Sequence, residues 1–398
     1  MNISLYLSLR HLNSTHKSGF VKTASILSIV GLSIGIASLL TTLFILNGFE
    51  RVISEKITEI DGHIRIKHFM NEPITPSDYE LNNKLFNKSN NFTHGFFIQN
   101  PALLRKGQLA EGVIVEGVDT RDLSFINKMI VNGSSSLANN EAVIGQRLAE
   151  IYDIKIHDKI TLFDLSTVYT YNKRFRQFSV EGIFHSGMTE YDKSSVFINI
   201  EDAKELFKMD EQISGYVLRL KNIQDLDNVN KLINSNTSYP LMSMTWKEKN
   251  RALYKWLNVQ RWPILFIFGL ISLVAIVNII SSLTMIVIDK TRQIGLLSAI
   301  GMPQRKIKEI FLIKGLIIGF LGAFFGSFFA AALAFIQNNY KIISVPEDIY
   351  FMDFIPIDID LNQIILISII SLIISTLVSF WPSTSSSKIL PSEALKYE

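Results

Sequence analysis

Seven histidines are the side chains of this sequence best suited to acid–base or metal chemistry. None stands in the H-E-x-x-H spacing or a comparable cluster, whereas a zinc site needs three or four convergent ligands. The chain also lacks the G-x-S-x-G elbow of serine hydrolases and the G-x-x-x-x-G-K-[ST] loop that cradles ATP phosphates. The absence of cysteine excludes disulfides, thiolate metal sites and cysteine nucleophiles. We therefore predict a non-catalytic chain that binds no metal and no cofactor itself.

The composition indicates a membrane protein. Of 398 residues, 48 % are hydrophobic and only 19 % are charged, whereas about a quarter of the residues of a soluble domain are charged. Four charge-free runs are long enough to span a bilayer, at 23–46, 262–288, 315–337 and 363–381. Because their interiors hold no ionisable side chain, an ion-coupled carrier is disfavoured. The net charge of +3 is too small to indicate a nucleic-acid partner.

The lysines and arginines beside the spans predict the orientation. The segment 1–22 contains Arg10, Lys17 and Lys22 without an acid, and the loop 289–314 has six basic residues against two acids. The loop 338–362 has one lysine against five acids. We expect both chain ends, 1–22 and 382–398, and the loop 289–314 to be cytoplasmic, with 47–261 and 338–362 outside.

The large outer segment, 47–261, reads as an α+β domain inserted between helices 1 and 2 of a four-helix membrane protein. Strand patterns occur at 63–69, 112–119, 175–184 and 194–200, and helical patterns at 77–88, 141–153, 201–207 and 223–233. Asp or Asn stands where the helices after 194–200 and after 215–220 would begin. Helical patterns also leave span one and enter span two, where a flexible tether would be rich in Gly, Ser and Pro, and this predicts rigid helical stalks.

Small residues form G-x-x-x-G ladders in spans one and three, at Gly31 and Gly35, Gly315 and Gly319, and Gly322 and Gly326. Such ladders let helices approach closely. Packing within the chain and association with a partner subunit are both open readings of this pattern.

The basic loop 289–314 predicts a short amphipathic helix with Ile294, Leu297 and Ile300 on one side. Gly301 would close it and Pro303 would follow. The helix could lie on the lipid surface, as its basic flank allows, or dock onto a cytosolic protein.

The motif RQIGLLSAIGMPQRKI in this loop resembles the FtsX/MacB-type ABC permeases, and KILPSEALKYE is similar to the superfamily's closing motif. LNGFERVISEKI, EAVIGQRLAEIYDIKIHDKITL, FRQFSVEGIFHSGMTEYDKSSVFINIEDAKELF and VPEDIYFMDFIPIDI resemble the lipoprotein-releasing (LolC/LolE-type) permeases. The matches run from about Ser25 to Glu398. The resemblance implies a MacB-like periplasmic core, a bacterial inner-membrane location and no catalytic residue.

The resemblance also implies the partners and sites. Partners would be a cytosolic LolD-type ATPase dimer that holds ATP and Mg²⁺, a second LolC/LolE-type permease or a second copy of this chain, a periplasmic LolA-type carrier, lipoprotein substrates and membrane lipids. ATPase coupling would involve Gln293, Gly295, Leu296, Ala299, Gly301 and Met302, with Gln293 standing where many relatives have Glu. The lipoprotein cavity would involve Leu43, Phe44, Leu46, Asn47, Phe49, Trp262, Leu265, Phe266 and Phe268. A carrier-binding hook would use Tyr169, Tyr171, Lys173, Arg174, Phe175 and Arg176.

Several alternatives stay open at this point. The segment Asp164–Arg174 lacks the prolines expected of the hook, so a plain hairpin with a basic tip is an equal reading. The chain could be the hook-bearing subunit, its partner or a homodimeric version. A permease with another client, such as MacB-like efflux or FtsX-like activation of wall hydrolases, is the runner-up. A sensor or adhesion protein with four anchors is a third possibility.

Overall fold

The structure is a computed structural model that describes residues 19–75, 92–119, 123–237, 239–346, 350 and 352–387. The chain divides into two compact units. One contains the long apolar helices, and the other comprises Arg51–Lys255 with Ser344–Asp353. The predicted helix at 77–88, the terminal segment 1–18 and the motif at 388–398 lie outside the described residues.

The described helices include four that are long and apolar enough to cross a membrane, namely α1, α8, α10 and α11. In chain order the helices are α1 (Gly19–Asp61), α2 (Ser124–Met129), α3 (Gln146–Ile151), α4 (Thr189–Ser194), α5 (Ile200–Phe207), α6 (Leu226–Asn236), α7 (Trp246–Lys249), α8 (Arg251–Asp289), α9 (Thr291–Ala299), α10 (Gln304–Tyr340) and α11 (Leu361–Ser387). This confirms the predicted fold class of four membrane helices with a mixed domain between the first two. The helical pattern that leaves span one belongs to α1, and the pattern that enters span two is divided at Asn250 between α7 and α8.

The glycine ladders pack against helices of the same chain. A Cβ on Gly315 or Gly319 would lie within 2 Å of the hydroxyl of Ser379 or Ser375, respectively. Gly322 and Gly326 face α1 in the same way, where the added atom would meet Leu32 and Ile36. The ladder of α1 faces α8, with Ile271 2.9 Å from a Cβ on Gly35. Intrachain packing is therefore the reading that the structure supports.

Serines line the side of α11 that faces α10. Ser371, Ser375, Ser379 and Ser383 recur every four residues and are all buried. Three of them donate a hydrogen bond to the preceding turn, Ser375 to the carbonyl of Leu372, Ser379 to that of Ser375 and Ser383 to that of Phe380. Because these three hydroxyls bond within α11, the α10 backbone can approach without leaving them unpaired, whereas the Oγ of Ser371 has no partner among the described residues.

The second unit is built on a ten-stranded sheet with the order β10-β1-β9-β2-β3-β8-β5-β7-β4, in which β6 pairs with β2 and β7. The strands are β1 (Ile64–His68), β2 (Phe92–Lys106), β3 (Leu109–Val118), β4 (Ile130–Gly133), β5 (Glu141–Gly145), β6 (Lys159–Asp164), β7 (Phe175–Phe184), β8 (Ser195–Asn199), β9 (Gly215–Leu220) and β10 (Leu241–Thr245). The β3–β8 and β5–β7 pairs are parallel and the other printed pairs are antiparallel. The mixed sheet confirms the α+β expectation.

The four predicted strands correspond to β1, β3, β7 and β8. Asn199 caps α5 by accepting from the backbone N–H of Glu201 at 3.0 Å, and Asn222 accepts from Gln224 at 3.1 Å to start the turn before α6. The helix predicted over 141–153 is wrong in its first five residues, which form β5. Four of those five residues are buried, because β5 lies between β7 and β8, and a short apolar run that is buried on both faces has no period that distinguishes strand from helix.

Candidate functional site

The loop after the second membrane helix carries the short helix α9, which ends at a Schellman motif. The N–H of Met302 donates to the carbonyl of Leu297 and the N–H of Gly301 donates to that of Ser298, each at 3.0 Å. Gly301 has φ +96°, a left-handed conformation that a residue with a Cβ rarely adopts. The predicted closing role of Gly301 is confirmed, and the motif fixes where α9 ends.

One side of α9 is anchored to the membrane helices. Ile294 is buried in a cluster with Leu283, Ile307 and Phe311, and Met302 packs against the same cluster. Gly295 is also buried. This anchoring positions the rest of α9 as a fixed surface.

The other side of α9 is exposed. Leu296 is 48 % exposed and Ile300 is 83 % exposed, and Gln293, Ala299 and Gly301 are exposed beside them. The expectation that Ile294 and Ile300 share a side is wrong, because six residues at 100° each place them about 120° apart. Four of the six predicted coupling residues thus form an exposed surface. The other two do not belong to it, because Gly295 is buried and Met302 packs against the buried cluster.

The outer ends of α1 and α8 are joined by an ion pair. Arg261 donates to the carboxylate of Glu50 at 2.8 Å, and both side chains are partly exposed. An exposed pair of this kind contributes little stability, so its effect is mainly to align the two helix ends. The predicted cavity residues lie next to this pair along both helices.

Gly48 of the NGFE motif contacts the outer loop of the same unit. A Cβ at this position would lie 2.4 Å from the carbonyl oxygen of Pro356, and the N–H of Asp358 donates to the carbonyl of Phe44 at 3.0 Å. The two sequence motifs that indicate the lipoprotein-releasing permeases, NGFE and the FIPID segment, therefore touch each other. The sequence shows both motifs but gives no sign of their contact.

Two amides at the end of α10 hold the same loop. Asn338 donates to the carbonyl of Ile357 and accepts from its N–H, at 2.7 and 3.1 Å. Gln337 donates to the carbonyls of Ile343 and Ile355 and accepts from the N–H of Ile343. These side chains replace the backbone partners that an irregular segment lacks, and so fix the loop beside α1.

We expect Gly48→Ala to lower the midpoint of thermal unfolding of the full chain in nanodiscs. The added methyl group would overlap a backbone oxygen that cannot rotate away, and overpacking of this kind costs about 1–3 kcal/mol. Gly269→Ala is the matched control, because a Cβ on that membrane-helix glycine has nothing within 4 Å and Ala favours helix over Gly. An equal effect of the two substitutions would show that the contact of Gly48 with Pro356 does not support the fold.

The predicted cavity residues divide into enclosed and exposed groups. Phe44 is fully buried, and Leu43 and Phe268 pack against the same core cluster, which also contains Ile357. Leu46, Asn47 and Phe49 are half-buried on α1. Trp262, Leu265 and Phe266 are exposed on α8, by 74, 48 and 69 %. The α8 residues thus form an apolar surface that this chain does not cover within its described residues.

An apolar groove of about 900 Å³ lies between α1 and α10. Ile34 of α1 and Phe325 and Phe329 of α10 are among its walls. A second, much smaller pocket of about 30 Å³ lies between α1, α8 and α11, near Gly35 and Phe268. No sequence pattern predicts this groove, because any membrane span presents large apolar side chains and their pattern alone does not show where two helices diverge.

The predicted hook is the tip of the hairpin formed by β6 and β7. The strands pair in antiparallel register from Lys159 with Ser179 to Phe163 with Phe175, and the N–H of Asp164 donates to the carbonyl of Arg174 at 3.0 Å. Tyr169 and Tyr171 at the tip are fully exposed, and Lys173 is exposed beside them. The segment is a hairpin, and its exposed aromatic tip leaves the hook interpretation open.

The arginines of this segment are held by the body of the domain. Arg174 pairs with the buried Asp164 at 3.4 Å and donates to the carbonyl of Phe207 at 3.1 Å. Arg176 pairs with the buried Asp202 at 2.9 Å and also with Glu205. The pKa of Asp202 is raised above its ordinary value because burial outweighs the opposing effects of the Asn140 N–H and the Arg176 charge. Both arginines therefore orient the hairpin. The predicted hook residues left for a partner are Tyr169, Tyr171, Lys173 and Phe175, whose ring packs on Phe163 but is 62 % exposed.

Comparison with known proteins places these sites in a family context. The family model described as "MacB-like periplasmic core domain" matches residues 25–236, and the one described as "FtsX-like permease C-terminal" matches residues 265–391. The chain is 27 % identical over 416 residues to the lipoprotein-releasing system transmembrane protein LolC of Neisseria meningitidis, with 100 % of both chains covered. It is 25 % identical to the LolE protein of Haemophilus influenzae, with 99 % of each covered. The extracellular domain of the ABC-type transporter YknZ from Gram-positive bacteria covers 46 % of this chain and 99 % of its own, at 12 % identity and a TM-score of 0.32.

Proposed function

This chain belongs to the family defined by the MacB-like periplasmic core domain, and on that premise we propose that it is the permease subunit of a lipoprotein-releasing ABC transporter. The observation that carries the proposal is similarity over the whole length of relatives named as lipoprotein-releasing transmembrane proteins. The chain would extract acylated proteins from the outer leaflet of the bacterial inner membrane and pass them to a periplasmic carrier of LolA type. It would contribute no catalytic residue, since ATP and Mg²⁺ would be bound by a separate LolD-type ATPase dimer.

The proposed orientation follows from the basic residues. Positive charge near spans favours the cytoplasm, which places α9 and both chain ends there and the α+β domain in the periplasm. With α9 in the cytoplasm, its exposed surface around Leu296 is available to the ATPase. The anchoring of Ile294 in the membrane core supports this role, because a rigidly held helix passes on a displacement that a loose loop would absorb.

The proposed transmission uses the two long helices. α1 is continuous from Gly19 to Asp61 and α8 from Arg251 to Asp289, so each reaches well beyond the length that a bilayer requires. A push on α9 at the end of α8 would travel along α8 as a shift of the whole helix. The Arg261–Glu50 pair would then couple α8 to α1 at their outer ends.

The proposed lipoprotein path uses the exposed apolar surface of α8. An acyl chain gains about 0.8 kcal/mol for each buried CH₂ group, and Trp262, Leu265 and Phe266 offer an uncharged surface for it. The path would lie between span one of one permease and span two of the other, as the family resemblance implies. A second permease subunit, or a second copy of this chain, would therefore complete the cavity.

The proposal is tested by co-purification. The full chain is expressed with the ATPase of the neighbouring reading frame, captured from nanodiscs, and the bound proteins are analysed by mass spectrometry for N-terminal acyl chains. We expect an ATPase with a G-x-x-x-x-G-K-[ST] loop and acylated proteins in the same fraction. Recovery of the ATPase with a different, non-acylated client would contradict the lipoprotein assignment.

Photo-crosslinking tests the hairpin tip as the carrier-binding element. A photoreactive amino acid at Tyr171, which is fully exposed, is expected to trap a periplasmic carrier, because exposed aromatic side chains are common interface anchors. The same probe at Tyr239, which is 82 % exposed elsewhere in the unit, is the control. Crosslinks from Tyr239 but none from any position of 167–173 would contradict the hook interpretation.

A further inference from the structure

The second unit contains a cavity of about 370 Å³ that the proposed transport function does not use. Its walls include three cationic side chains, Arg65, Lys67 and Lys249, and an apolar part formed by Phe97, Met209 and Met244. This volume is within the range of small-molecule sites, which combine apolar walls with a few placed polar groups.

Arg65 is held in a fixed position with one nitrogen unused. Its Nη2 donates to Glu116 at 2.9 Å, its Nε donates to the carbonyl of Asp61 at 2.8 Å, and its guanidinium lies 4.4 Å from the centre of the Phe97 ring. The residue is only 7 % exposed, yet its Nη1 has no hydrogen-bond partner among the described residues. A buried donor without an acceptor costs about 1–3 kcal/mol, so an acceptor at this place would be bound favourably.

A second unused donor belongs to the same cavity. Trp246 is 2 % exposed, and its indole Nε1 finds no acceptor in the described part of the chain. The indole ring is fixed by edge-to-face packing on Tyr254, with ring centres 4.7 Å apart. Arg65 of β1 and Trp246 of α7 therefore both line this cavity, and each has a buried N–H without an acceptor.

The side chains that line the cavity include more positive than negative charges. Asp61 is the acid in its lining. Its Oδ2 accepts from Lys249 at 2.7 Å and from Tyr191 at 2.6 Å, and its Oδ1, which accepts no hydrogen bond from the described residues, lies 3.3 Å from Nη2 of Arg65. Glu116 is engaged by Arg65 and by the side-chain amide of Gln99 at 3.0 Å. Burial lowers the pKa of Lys67, and the charges of Lys249 and Arg65 act in the same direction.

We propose that this cavity binds a small organic oxyanion, a phosphate or carboxylate group attached to a compact apolar body. The oxyanion would accept from Nη1 of Arg65, Nε1 of Trp246 and the ammonium of Lys67, and the apolar body would lie against Phe97 and the two methionines. Such charge-assisted hydrogen bonds are about twice as strong as neutral ones. The apolar wall distinguishes this ligand class from free inorganic phosphate.

Calorimetric titration of the full chain in nanodiscs tests the proposal with four probes: phenyl phosphate, benzoate, inorganic phosphate and phenol. We expect saturable binding of phenyl phosphate, benzoate or both, which also identifies the head group, and weaker binding of inorganic phosphate and of phenol. Lys67→Gln should weaken binding about tenfold, the effect of losing one charge-assisted hydrogen bond. Trp246→Phe, which keeps an aromatic wall and removes the N–H, should weaken it several-fold.

Lys128→Gln is the matched control, since Lys128 is exposed on α2 and does not line the cavity. It should bind the probes as the parent chain does. Absence of saturable binding of both organic anions, or equal binding by the parent and the Lys67→Gln and Trp246→Phe variants, would overturn the proposal. Binding of phenol as tight as that of phenyl phosphate would overturn it as well, because the cavity would then recognise only the apolar body.

Discussion

Leu296→Glu is expected to abolish co-purification of the ATPase while the chain still inserts into the membrane. Leu296 is 48 % exposed on α9, so the substitution removes little packing within the chain. If the ATPase covers this surface, the new carboxylate would be buried without a partner, at a cost of about 2 kcal/mol or more. That corresponds to a loss of affinity of roughly 30-fold or more, measured by capture of the ATPase on the immobilised permease.

Leu232→Glu is the matched control for this experiment. Leu232 is also a helical leucine, is 46 % exposed, and lies on α6 of the other unit. The control variant should retain the ATPase at the level of the parent chain. ATPase capture and stimulation of hydrolysis that survive Leu296→Glu would show that α9 is not the docking helix and favour an interfacial helix on the lipid surface.

Phe266→Asp is expected to stop lipoprotein release while ATPase assembly is preserved. Phe266 is 69 % exposed on α8, four residues from the outer end of the predicted span, so an acid there is tolerated by insertion better than at the centre of the bilayer. In the proposed path the carboxylate would face acyl chains, and its desolvation should lower the release rate about tenfold or more. Leu46→Asp on α1 should act in the same direction, since α1 would contribute the opposite wall of the proposed path.

Phe335→Asp separates a specific path from a general effect of a charge in the membrane. Phe335 is 66 % exposed, and it lies near the outer end of α10, outside the proposed path. Release is measured as transfer of acylated protein from proteoliposomes to a soluble carrier. Parental release rates in Phe266→Asp, or equal losses in Phe266→Asp and Phe335→Asp, would contradict the assigned path.

The sequence predicted the membrane helices well, because twenty apolar residues without a charge have few other stable structures. It also predicted the end of α9, since Gly301 followed by Pro303 is a local signal that needs no tertiary information. The sequence pattern wrongly predicted a helix over 141–145, because strand β5 is buried between two neighbouring strands and its apolar residues show no strand period. Pairings such as β5 with β7 and β8 depend on residues far apart in the chain, which no local pattern shows.

The sequence indicates which segments could form the candidate sites, but it does not indicate which of their side chains are exposed. The motif indicates the loop 289–314 as the proposed coupling segment, but the packing of Ile294 is needed to show which side of α9 is exposed. Arg174 and Arg176 looked like interface anchors in the sequence, whereas in the structure they pair with Asp164 and Asp202. The cavity beside Arg65 and Trp246 was missed entirely, since it is assembled from residues on separate elements with no shared motif.

Reconstitution tests the central claim most directly. The full chain and its ATPase are placed in proteoliposomes with an acylated lipoprotein, and ATP and a purified periplasmic carrier are added. The account predicts that lipoprotein appears in the soluble carrier fraction only when the chain, the ATPase and hydrolysable ATP are all present. ATP hydrolysis at the normal rate with the lipoprotein still in the membrane would contradict it.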